Sequence, residues 1–198
     1  MKYISTLFLA LLLGLVSCNT TMKTEETSTQ GFVIHRGLNA SHWLSQSEIR
    51  GEEREQYMQA VDFESIANMG FDHVRIPVDE VHLWDEDGNR HEDAFKLLHN
   101  AINWSFDNNL RVIVDLHVIR SHHFNAHDNT LWTDPLEQKK FWGFWEQLSA
   151  ELIQYPTDKL AYELMNEAVA DNPEDWNKLI ANGIKMVREK EPTRTIVV

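Results

Sequence analysis

The sequence predicts an α/β fold with a parallel sheet, and three observations carry that expectation. From Gly31 onward, short apolar runs alternate with amphipathic stretches at an even spacing. Such alternation favours parallel strands joined by right-handed helical crossovers. No Gly-rich phosphate fingerprint follows any of the apolar runs, which argues against a nucleotide-binding doubly wound sheet. A complete (β/α)8 TIM barrel takes roughly 250 residues. The 198 residues present therefore read as roughly strands 1–5, the N-terminal half, of such a barrel.

Each element follows from local chemistry. Phe32–Leu38 reads as the first strand, followed by polar residues and one helical stretch closed by Gly70, a residue suited to the left-handed turn after a helix. Phe71–Pro77 reads as the second strand. The next helix runs from Asp93 to Asn108, with Phe95, Leu98 and Ile102 on one face. Arg111–His117 holds the β-branched run Val112-Ile113-Val114 and reads as the third strand. Asp134-Pro135-Leu136-Glu137 combines an N-cap, a proline at the first helical position and an acid in the first turn. The helix it opens carries Phe141, Phe144, Trp145, Leu148 and Leu152 at helical spacing. Leu160–Met165 is the fourth strand, Asn172-Pro173-Glu174 opens a helix to Lys190, and Thr195–Val198 begins a fifth strand.

The N-terminus is a separate matter. Lys2 precedes an almost unbroken apolar run, Ile4 to Val16, too short to span a bilayer comfortably. Leu15-Val16-Ser17-Cys18 resembles a bacterial lipobox, which implies cleavage after residue 17 and lipidation of Cys18. Residues 18–30 are Thr-, Ser- and Glu-rich and read as a flexible tether. The expectation is an exported protein held at the bacterial cell envelope, touching the membrane through this lipid alone. Cys18 is the single cysteine, so an internal disulfide is excluded. The formal net charge of −13 excludes nucleic acid as a partner and argues against attraction to anionic lipid; a neutral polysaccharide or oligosaccharide is compatible with it.

The chemistry-bearing residues gather at strand ends. The apolar run Leu160–Met165 stops at Asn166-Glu167, which places an amide and a carboxyl at the carboxyl end of a buried strand, where barrel enzymes hold their catalytic groups. Taken alone, Glu167 is equally readable as a salt-bridged acid at a strand terminus, Arg75 as a cation paired with an acid inside the barrel mouth, and His117 as a hydrogen-bonded structural histidine. Trp43, Trp84 and Trp132 fall in the loops after strands one, two and three, where a flat ring can stack on a sugar. Asn125 and Asp128 are polar candidates in the third of these loops. His122, His123 and His127 in the same loop raise a metal site as an alternative. Their spacing matches no compact ligand motif, and a polar substrate-facing loop is the other reading.

Three segments in order, Arg36-Gly37-Leu38-Asn39 with Trp43, Gly70-Phe71-Asp72-His73-Val74-Arg75-Ile76-Pro77, and Leu164-Met165-Asn166-Glu167, are similar to glycoside hydrolase family 5, the cellulase family; Val114-Asp115-Leu116-His117 supports the match. The resemblance implies a retaining β-glycanase, needing no metal or organic cofactor, in which Glu167 is the general acid/base, Asn166 holds the sugar 2-hydroxyl, Arg75 orients the nucleophilic carboxylate and His117 contacts the sugar, with Asn39 on the substrate side. Ala168 stands where that family usually has proline. A retaining enzyme needs two carboxyls about 5–5.5 Å apart. The family's nucleophilic Glu belongs to the seventh strand, so the span present is expected to be incomplete, with Arg75 lacking its acidic partner and an apolar inner face uncovered. A glycan-binding lipoprotein without catalysis is the alternative from another class.

Overall fold

The computed structural model describes residues 31–127 and 129–198. The signal segment, Cys18, the tether and Asp128 lie outside the described residues. Five parallel strands form one sheet in sequence order: β1 (Gly37–Asn39), β2 (His73–Asp79), β3 (Arg111–Val118), β4 (Leu160–Glu163) and β5 (Ile196–Val197). Between them run α1 (Gly51–Tyr57), α2 (Ala60–Asn68), the short α3 (Glu80–Leu83), α4 (Glu92–Asp107), a 3-10 turn (Thr130–Trp132), α5 (Pro135–Leu152) and α6 (Pro173–Lys190). This is the strand–helix order of a partial (β/α)8 barrel.

Alternation along the strands separates two faces. Val74, Ile76, Val78, Val112, Val114, Leu116, Leu160 and Tyr162 are buried in the core. The other face carries Arg75, Asp79, Asp115, His117 and Glu163. Register stacks them: Asp115 pairs with Glu163 on β4 and with Pro77 on β2, while Arg75 sits one layer below, beside Ile113. The upper layer of the inner face is therefore charged, which corrects the expectation of an apolar inner face.

Several boundaries shift for identifiable reasons. β1 begins at Gly37 rather than Phe32, because the backbone N–H groups of His35 and Arg36 donate to the Asp72 carboxylate at 2.8 and 3.0 Å instead of joining a ladder. The stretch before Gly70 is two helices. Gln59 is extended, and its N–H donates to Asp62 at 2.7 Å, which starts α2 afresh. Gly70 takes the left-handed conformation, φ +84°, expected after a helix. Asp134 and Asn172 cap α5 and α6 by accepting from Leu136 and Glu174 N–H.

Candidate active site

Arg75 organises the site. Its guanidinium donates from Nε and Nη2 to the two Glu163 oxygens at 2.7 and 2.8 Å, a bidentate pair across the sheet. Nη2 also lies 2.8 Å from Asp115 Oδ2 and donates to Asn166 Oδ1 at 2.9 Å, while Nη1 donates to Asn39 Oδ1 at 3.0 Å. β1, β2, β3 and β4 thus each contribute to one cluster at their carboxyl ends. Arg75 has acidic partners inside this span, and the expectation that it lacks one is corrected. Neither Glu163 nor Asp115 was assigned a role from sequence. The available signal was an acid on the inward-facing register of an otherwise apolar strand, which only pays off when a cation faces it across the sheet.

His117 is joined to this cluster through Asp115. Its Nδ1 lies 2.6 Å from Asp115 Oδ2, and Nε2 meets the Gln46 side-chain amide. The β2–β3 register slips after Val78, so Asp79 pairs with Val118 and His117 has no opposite residue. Such irregularities are common beside functional sites; alternation along β3 puts His117 on the same face as Asp115. Burial pushes Asp115 up to about 6, against the hydrogen bond from His117 and the charge of Arg75, which both favour its ionised form. Burial also raises Asp79, whose Oδ2 accepts from Gln46 N–H at 2.7 Å. Gln46 is a second residue missed from sequence; it lies in an irregular loop and carried no motif.

Asn166 and Glu167 differ sharply in environment. Asn166 is buried, with its Oδ1 committed to Arg75, and its Nδ2 makes no hydrogen bond among the described residues. Glu167 is exposed and holds a left-handed backbone, φ +42°, uncommon for a residue with a side chain. Its carbonyl accepts from Val169 N–H at 2.7 Å, closing a tight turn. The carboxyl is near enough to Arg75 to interact with its charge. An exposed acid is thereby presented beside an immobilised amide and guanidinium.

The aromatic candidates divide. Trp43 and Trp84 have no exposed surface and are not sugar platforms. Trp43 donates Nε1–H to Arg54 O at 2.8 Å; Trp84 donates to Gln147 Oε1 at 2.9 Å and packs against Phe95 and Phe144. Indole is large, and with its N–H satisfied it is best placed in the core. Trp132 is half-buried and lines a cleft between the loops after β3 and β4. Asn125 is exposed in the same β3–α5 loop, its backbone N–H bonded to His123 Nδ1. The loop histidines diverge: His122 is buried against Trp132, and His123 stacks on Phe124. Among the described residues, no three His, Cys, Asp or Glu side chains converge as a metal site requires.

Comparison with known proteins places the chain as a whole. The chain is 32% identical over 166 residues to Endoglucanase C of Acetivibrio thermocellus, covering 82% of this chain and 48% of that protein. It is 28% identical to Cellodextrinase A of Ruminococcus flavefaciens, covering 80% and 48%. Among solved structures, the cellulose synthase subunit Z of Clostridioides difficile superposes with a TM-score of 0.67 at 30% identity, over 83% of this chain and 52% of that one. The endoglucanase Cel5A of Thermotoga maritima gives 0.65 at 26% identity, over 81% and 50%. The chain thus spans about half the length of the relatives it matches. The model of the cellulase family, glycosyl hydrolase family 5, matches residues 23–198, and the chain belongs to that family.

Proposed function

We propose that this span supplies the acid/base half of a retaining glycoside hydrolase acting on β-linked glucan. The observation that carries the reading is the pairing of an exposed carboxyl, Glu167, with a neighbouring amide whose orientation is fixed by Arg75. Asn166 Nδ2 is left as a donor for a sugar hydroxyl, a contact that strengthens as oxocarbenium character develops. Glu167 protonates the departing glycosidic oxygen and then, as its conjugate base, activates water against the glycosyl intermediate. His117, held through Asp115, and Asn39 complete a polar wall for the sugar. A retaining mechanism needs a second carboxylate, and the matched region is about half the length of the relatives. Endoglucanase and cellodextrinase relatives support β-linked glucan as the substrate class.

The test is leaving-group dependence in the full-length protein. Glu167→Ala should lower kcat/KM on a glucan oligosaccharide by about 10²- to 10⁴-fold, the range of general acid catalysis. On a dinitrophenyl glycoside, whose leaving group departs without a proton, kcat/KM should fall far less. Equal loss on both substrates would show that Glu167 is not the acid.

A further inference from the structure

The turn that carries Glu167 is fastened from outside. Trp132 Nε1–H donates to Val169 O at 2.7 Å, and Val169 N–H donates to Glu167 O at 2.7 Å. Two hydrogen bonds therefore link the indole to the backbone of the acid. The indole itself is braced: His122, buried, meets it edge-on with centroids 5.3 Å apart, and Trp176 of α6 does so at 6.4 Å. Trp132 sits at the C-terminal end of the 3-10 turn that precedes α5, so a helix-anchored residue holds a loop that local sequence leaves strained. A left-handed glutamate persists only where its surroundings over-determine it.

The same indole walls a cleft of about 500 Å³ whose lining includes Thr133, Val169, Asp171 and Asp175. That volume is in the range of small-ligand sites. Asn166, on one side of Glu167, is bonded to Arg75 on the inner face; Val169, on its other side, lines this cleft. An acid that protonates a glycosidic oxygen stands between the sugar being attacked and the sugar that leaves. With the first held at the Arg75 cluster, the second falls toward the cleft.

We propose that Trp132 is a positioning residue for Glu167, and that the cleft it walls takes the leaving-group sugar. This rests on Glu167 being the general acid. The Trp132–Val169 bond then fixes the carboxyl relative to the sugar whose oxygen it protonates, and the Asp171 and Asp175 carboxylates offer acceptors for hydroxyls of a neutral pyranose.

Trp132→Phe keeps a flat ring and removes the N–H; Trp132→Ala removes both. In the full-length protein, Trp132→Phe should lower kcat/KM on cellotetraose by about tenfold, the scale of one lost hydrogen bond, and leave a dinitrophenyl cellobioside within about twofold. Trp132→Ala should lower the cellotetraose value further, with the aryl substrate still spared. Equal losses on both substrates would mark Trp132 as merely structural and overturn the proposal, as would Trp132→Phe with unchanged cellotetraose turnover. Glu167→Ala measured in parallel separates the two ideas. If it fails to discriminate between the substrates, the acid assignment falls; if it discriminates and the Trp132 variants do not, only the positioning role falls.

Discussion

His122 shows how one buried side chain couples stability to pH. Neither ring nitrogen has a hydrogen-bond partner among the described residues, and burial pushes it down to about 4. His82 is likewise lowered to about 4 by burial, with the charges of Arg50 and Arg54 adding to the effect. Between roughly pH 6.5 and 4 the unfolded chain binds protons at these positions that the folded chain refuses, so stability rises with pH across that window and is lost on acidification. Asp115 acts in the opposite sense. Raised by burial to about 6, it keeps a proton in the folded state that the unfolded chain has already released, which favours folding at the acid end. His122→Phe abolishes one histidine contribution without breaking a hydrogen bond. The fall in Tm from pH 7 to pH 5 should be smaller in this variant than in the parent; an equal or larger fall would show that His122 is not part of the acid sensitivity.

At the scale of elements, α5 and α6 meet through a glycine. Gly183 is buried in the middle of α6, where glycine costs about 1 kcal/mol relative to alanine in helix propensity. A Cβ at this position would run into the ring of Trp142 on α5, so the glycine allows the two helices to approach. Gly183→Ala should therefore be destabilising in spite of the better helix former, by about 1–3 kcal/mol as overpacking typically is. Urea unfolding measures it, and a gain in stability would show that the Trp142 ring moves aside freely.

Across the whole molecule, two charged clusters lie toward opposite ends of the sheet, with opposite consequences. At the carboxyl ends, the Arg75 cluster remains partly open and faces the proposed substrate. At the amino ends, Arg194 is fully buried and bonds Glu191 at 2.7 Å together with the carbonyls of Tyr155, Pro156 and Leu160; Glu191 also accepts from Tyr162 Oη at 2.7 Å and Ser149 Oγ at 3.1 Å. This knot joins the turn before β4 to the turn before β5, a stabilising role suited to the face of a barrel away from its chemistry. Arg194→Ala leaves a buried carboxylate unpaired and should destabilise by about 3–5 kcal/mol. Denaturant titration checks it; a loss below 1 kcal/mol would mean that water reaches Glu191.

Sequence by itself determined the α/β order, the presence of all five strands, the caps at Asp134 and Asn172, and the places of His117 near the end of β3 and of Asn166 and Glu167 just beyond β4, because apolar periodicity and capping chemistry are local. It also placed Trp43, Trp84 and Trp132 in successive loops without separating them, since loop residues carry no period that says which way a ring turns. Only tertiary structure decided that two of these indoles are core and that the third holds the turn of Glu167. It likewise decided that Glu163 and Asp115 face Arg75, residues distant in sequence brought together by the register of three parallel strands. Cross-strand register and loop packing depend on long-range contacts, and those contacts leave no short-range signature in the chain.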